Sequence, residues 1–126
     1  MVQMIKLGLA LWLLIGITSC SLVPDSKTGS SQSGGPGDTL LAQANAKAAS
    51  GETQQAIAVL ERAVRLQPRN AHAWMRLSEL YLEQGDYHKA EQFAGRVQQF
   101  AGDNQELQRR AAEVIKQARA ANKQRG

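Results

Sequence analysis

Residues 70–104, NAHAWMRLSELYLEQGDYHKAEQFAGRVQQFAGDN, read as two helices joined by a glycine turn, and this stretch decides the fold. Asn70 is a capping residue, after which Trp74, Leu77, Leu80 and Tyr81 recur at spacings of three and four until Gln84-Gly85-Asp86 breaks the pattern. Ala90, Phe93, Ala94, Val97 and Phe100 mark a second helix, from Tyr87 to about Ala101, which Gly102 ends. The same signals return at one fixed offset of 34: Gly51 and Gly85, Ala56 and Ala90, Arg62 and Arg96, Asn70 and Asn104. A helix-turn-helix unit of that length cannot bury its apolar face alone and must stack on a neighbour, so the product is a binding surface rather than a reaction chamber.

Upstream, Asp38 and Thr39 are N-cap candidates for a helix through Leu40, Leu41, Ala44 and Ala48 that stops near Ser50-Gly51. Thr53 to Leu66 follows, with Ala56, Val59, Leu60 and Ala63 on one face, and Gln67-Pro68 ends it because proline disfavours helix at the residue before it. Downstream, Asp103-Asn104-Gln105-Glu106 offers a capping box, Asp103 accepting from the Glu106 amide and Glu106 reaching back. It opens a fifth helix with a narrow apolar stripe of Leu107, Ala111, Val114, Ile115 and Ala118. The rest of that helix carries six basic residues, Arg109, Arg110, Lys116, Arg119, Lys123 and Arg125, against the acids Glu106 and Glu113.

Trp74, Leu77, Tyr81, Gly85, Tyr87 and Ala90 resemble the tetratricopeptide repeat, with Ser78 where the family usually has glycine and Gly102 where it often has proline. In the same frame the first copy supplies Leu40, Ala44, Gly51, Ala56, Leu60, Ala63 and Pro68. Gln43 and Lys47 stand there where large apolar residues are expected, so this copy is degenerate. The resemblance implies an all-α fold: two repeats, about 37–70 and 71–104, form a short right-handed α-solenoid that a basic helix and tail over 105–126 closes. Hydrophobic content is 43% and much of it is alanine, so the core is expected to be thin and close-packed.

The amino terminus follows a different pattern. One positive charge in Met1 to Lys6 precedes the apolar run Leu7 to Ile17, about half of the roughly 20 residues a bilayer-spanning helix needs, which predicts a signal peptide over residues 1–19. Met4 offers a second start for the same signal. Ile17-Thr18-Ser19-Cys20 resembles the bacterial lipobox, with Ile17 where leucine is preferred. The resemblance implies a thioether to diacylglycerol on Cys20, cleavage before it and acylation of the freed amine. Two or three acyl chains anchor stably where one does not, at about 0.8 kcal/mol per buried methylene. Ser21 in place of aspartate favours the outer membrane in the sorting rule of that family. No second cysteine exists for an intramolecular disulfide. Residues 20–37 hold the lipidated cysteine and a Ser/Gly/Pro-rich linker, expected to be disordered and to span on the order of 20–25 Å.

No catalytic set emerges. His72 and His88 lack an accompanying acid, nucleophile or second ligand at metal-binding spacing, and Glu79 and Glu83 are neighbours on one helix face without a third group. Neither an enzyme nor a cofactor or metal is expected. Trp74 and Tyr81 sit where the repeat packs its own helices, which favours core over a stacking platform. The resemblance places a partner groove on the first helix of each repeat, at Leu41, Asn45, Ala48 and Ala49 and at His72, Met75, Glu79, Leu82 and Glu83. That groove is apolar at one end and acidic at the other, suited to an extended or helical peptide with a basic element. One subclass clamps a carboxylate there, but Leu41 replaces its first lysine. Arg109, Arg110, Lys116 and Arg119 could meet an anionic wall polymer or headgroup, although a solvated face is the plainer reading. Nucleic acid is not expected in an exported protein.

The function expected from these features is a lipid-anchored cell-envelope adaptor facing the periplasm, binding envelope proteins through peptide segments. The alternatives are a pilotin-like factor for a secretin or pilus, and a lipoprotein associated with the cell wall or a peptidoglycan synthase.

Overall fold

A computed structural model describes residues 34–126; the signal, Cys20 and most of the linker lie outside the described residues. Five helices are present among those described: α1 Pro36–Ala49, α2 Thr53–Leu66, α3 Ala71–Glu83, α4 Tyr87–Phe100 and α5 Gln105–Arg125. α1 pairs with α2, α3 with α4, and α5 packs on α4 and α3, while α2 and α1 both touch α3. This is the all-α arrangement of stacked helix pairs that the 34-residue offset requires.

Two turns are built alike because the sequence repeats. Gly51 and Gly85 take φ +82° and +77°, a left-handed conformation that costs a side-chain-bearing residue about 1 kcal/mol or more. Each closes its helix with the same bond pair: Glu52 N to Lys47 O (2.9 Å) with Gly51 N to Ala48 O (3.1 Å), and Asp86 N to Tyr81 O (2.9 Å) with Gly85 N to Leu82 O (3.0 Å). These pairs satisfy carbonyls that a helix end otherwise leaves orphaned. The starts of α3 and α5 are also equivalent. Asn70 accepts from Ala73 N and Asn104 from Leu107 N, each at 3.1 Å.

Two expected helix starts differ from the structure. α5 is capped by Asn104, not Asp103, and Glu106 pairs with Arg109 instead of reaching back, so no Asp103–Glu106 capping box forms. α1 begins at Pro36, two residues before the expected caps, with Gly35 extended ahead of it. Proline suits that first position because its missing N–H has no helical partner there anyway. Asp38 still works at this end from inside the helix: it accepts from Gly35 N (3.1 Å) and from Asn70 Nδ2 (2.7 Å), tying the start of α1 to the cap of α3.

The core is as thin as the composition implies. Leu60, Met75, Leu77, Leu80 and Val97 are its largest fully buried apolar side chains, and alanines 44, 56, 63, 73, 90, 94, 111 and 118 fill the helix contacts between them. Ser78, where the repeat usually has glycine, is fully buried and donates to Met75 O at 2.7 Å. Trp74, Tyr81 and Phe93 form an aromatic cluster with centroids 5.5 and 5.3 Å apart. Trp74 Nε1 donates to Pro68 O (2.7 Å), which joins this cluster to the loop before α3. Trp74 and Tyr81 therefore pack and brace, and neither is an open platform.

Candidate partner groove

Leu41 and Asn45 on α1, His72, Met75, Arg76 and Glu79 on α3, and Arg110 on α5 line one cleft of about 280 Å³. The helical spacing explains the lining: residues 41 and 45, and residues 72, 76 and 79, each share a face, and the stacking of α1, α3 and α5 sets those faces side by side. The structure thus brings Leu41, Asn45, His72, Met75 and Glu79 together. Glu83 is outside the lining but reaches Arg76 at 3.9 Å.

Two features of this cleft depart from the sequence reading. Its acidic end is neutralised: Glu79 lies 3.3 Å from Arg76 and is also bonded by the Arg110 guanidinium, which crosses from α5. The sequence reading leaves Arg76 out and gives Arg110 only to the basic face of α5, although the two are 34 positions apart and the period that reveals the repeats contains them. Met75 is only 1% exposed, so it forms the floor of the cleft as part of the core rather than a contact on the rim. The rim is His72 and Asn45, both exposed, with the half-buried Leu41 and an Arg–Glu–Arg set that can donate and accept at once.

The basic face of α5 is likewise largely paired. Arg109 bonds Glu106, Lys116 lies 3.9 Å from Glu113, and Arg119 Nε donates to Glu91 at 2.7 Å, in addition to Arg110 on Glu79. Arg125 stacks 4.6 Å from the Tyr87 ring and donates to Gly85 O, fastening the end of α5 to the α3–α4 turn. The four side chains considered for an anionic polymer are therefore each engaged with a carboxylate of the same domain.

No cluster of three or more metal-binding side chains occurs among the described residues, nor a helix long and apolar enough to cross a membrane. Tyr81 stands apart in its ionisation. Burial, then the hydrogen bond and charge of Glu61 (2.9 Å from its hydroxyl) and the charge of Asp86, push its phenol up to about 12. The group stays neutral at physiological pH and acts as a bolt between α3 and α2.

The tetratricopeptide repeat family profile matches residues 47–114. Among solved structures, the globular C-terminal domain of P. aeruginosa LpoP is similar at 38% identity and a TM-score of 0.67, over 72% of this chain and 86% of that one. MamA is similar at 20% identity and a TM-score of 0.50, over 71% of this chain and 60% of that one, a likeness of fold alone. No curated protein matches.

Proposed function

The chain belongs to the tetratricopeptide repeat family, and from that premise we propose that it is an envelope lipoprotein that associates with a peptidoglycan synthase and has no chemistry of its own. The observation that carries this reading is the likeness to the LpoP domain, at 38% identity over 86% of that domain, well above what a shared helical fold alone produces. Family membership supports a protein-binding role, in a repeat class that is typically non-catalytic. The lipobox-like Ile17-Thr18-Ser19-Cys20 and the absence of aspartate after Cys20 support acyl anchoring in the outer membrane with the domain facing the periplasm. The likeness favours the alternative expected from sequence, a lipoprotein associated with a peptidoglycan synthase, over the general adaptor that was the first expectation. The likeness gives the pilotin-like alternative no support.

The cleft along α1, α3 and α5 is the contact surface in this reading. A short partner segment suits it, with an apolar residue against Leu41 and polar groups of either sign for Arg76, Glu79 and Arg110. A strongly basic segment does not, because Glu79 is already matched by two arginines. Photo-crosslinking in living cells tests this. A crosslinker in place of His72 or Asn45 is expected to yield an adduct with a peptidoglycan synthase, and one in place of Gln99 on α4 is not. A secretin adduct at His72, or adducts of equal yield from all three positions, would overturn the proposal.

A further inference from the structure

α2 carries a face that its core does not use. Ile57, Leu60, Ala63 and Val64 turn inward, whereas Arg62, Arg65 and Leu66 point to solvent at spacings of three and four, and Arg69 follows in the loop. Leu66 is 53% exposed and is the single exposed large apolar side chain among the described residues. No ion pair within the described residues reaches Arg62, Arg65 or Arg69, in contrast to the paired arginines of α5. A leucine flanked by arginines that no carboxylate of the described residues pairs, on one helix face, is the pattern of a helix that rests on an anionic interface.

The second observation is where the chain enters the domain. Gly34 and Gly35 lead into α1 against Gln67: a Cβ added at Gly35 would lie 1.7 Å from Gln67 Nε2, and one at Gly37 2.3 Å from Gln67 Oε1. Gln67 is flanked by Leu66 and Pro68, and with Arg69, Asn70 and Asp38 it lines the cleft at this corner. The carboxylate of Asp38 there is already bonded to Asn70 and Gly35 N. The segment that leads back to Cys20 therefore leaves the domain beside the arginine face. Cys20 stands 14 positions before Gly34 in the sequence.

We propose that Arg62, Arg65, Leu66 and Arg69 form a membrane-apposed face that docks on anionic phospholipid and holds the domain in one orientation at the bilayer. The proposal deepens the reading of an acylated, membrane-held protein and rests on it. The tether supplies a high local concentration of headgroups, so even a modest surface attraction orients the domain. Each arginine near an anionic leaflet changes the docked population about fivefold, and salt weakens the effect.

The test uses the full acylated chain in phosphatidylethanolamine vesicles, with or without phosphatidylglycerol, whose acyl chains are brominated to quench a fluorophore. A thiol-reactive fluorophore is placed on Leu66→Cys, or on Gln117→Cys in α5 for comparison; the Cys20 sulfur is blocked by its thioether. Quenching at position 66 is expected to exceed that at 117 by more than fivefold with phosphatidylglycerol, and to fall to the level of 117 without it or in 0.5 M salt. R62E/R65E/R69E is expected to abolish the difference, as is R62Q/R65Q/R69Q, which removes charge without reversing it; circular dichroism verifies the fold of each. Equal quenching at both positions, or a difference that survives both triple variants, overturns the proposal. So does arginine-dependent sedimentation with purified peptidoglycan when lipid quenching is absent, which would make the wall polymer the occupant. Mass spectrometry of Cys20 separates the two readings: an unacylated cysteine refutes the anchor, while charge-dependent quenching at 66 by added vesicles still decides the face.

Discussion

The link between Glu79 and Arg110 is the most direct measure of how the closing helix shapes the cleft. Both side chains are partly shielded, at 23% and 44% relative exposure, and Glu79 is shared with Arg76. An exposed pair contributes about 0.2–1 kcal/mol, and this shielding places the coupling at the upper end, about 1 kcal/mol. Glu79→Gln is expected to cost more than Arg110→Gln, because it leaves two arginines facing each other while the other leaves Glu79 still held by Arg76. In a double-mutant cycle the double variant should therefore be more stable than the sum of the single losses by about 1 kcal/mol. For a domain of this size that is a difference of about 4–8 °C in melting temperature, readable by thermal circular dichroism. Raising salt from 0.05 to 0.5 M should at least halve the coupling, since the pair is not fully buried. Losses that add within about 0.3 kcal/mol at low salt would refute the reasoning. Arg110 would then lie over the cleft without pinning α5 to α3, and the charge neutrality of the site would have to be abandoned as a structural constraint.

Met75→Ala, at a 1% exposed position, is expected to cost about 2–5 kcal/mol and to lower the melting temperature by more than 10 °C, whereas a rim residue would cost under 1; a shift below 3 °C would return Met75 to the rim. Tyr81→Phe loses the bond to Glu61 and should destabilise by about 1 kcal/mol at pH 8. The folded phenol ionises only near 12, against about 10 unfolded, so this group's stabilisation is complete below pH 10 and lost as pH rises toward 12. Wild type should thus lose its advantage over Tyr81→Phe, and fall below it, on titration from pH 9 to 11.5; parallel melting curves across that range would contradict the burial of the phenol.

The repeat units were legible because their determinants are local and doubled. Gly51 and Gly85, Asn70 and the apolar spacings of α2 and α3 each specify one turn or one face, and α2 begins and ends at the expected Thr53 and Leu66. The cap of α5 was misread because Asp103 and Asn104 are both capping side chains and Asp-x-x-Glu imitates a capping box; the equivalence of Asn104 with Asn70 was the better signal. Pro36 marks the start of α1, but its glycine neighbours look like linker until Gln67, 30 positions away, is known to pack on them. Side-chain pairing across helices was not legible at all. Whether Glu79 is a bare acid or a matched one depends on Arg110 from another element, and a helix considered singly carries no information on that.

The period also explains why the cleft stays small. Ile57, Val64 and Tyr81 are all buried, and Tyr81 packs against Phe93 of α4. Thirty-four positions on, the equivalent places are taken by Glu91, Gln98 and Ile115. Glu91 is bonded to Arg119, and the shallow cleft of Gln98, Ala112, Ile115, Lys116 and Arg119 lacks the apolar width to bury another helix. Burial of a helix on such a face would strip water from a carboxylate, a guanidinium and an amide for the sake of one isoleucine, and desolvation would outweigh the gain. α5 therefore presents a solvated outer surface, and the candidate cleft is lined by α1, α3 and α5. A site of about 280 Å³ gives a short segment few contacts, so a partner held by it needs a second source of affinity. The proposed acyl anchor would supply that source only for a partner within reach of the same surface, where effective concentration raises apparent affinity by about 10² or more without a new contact.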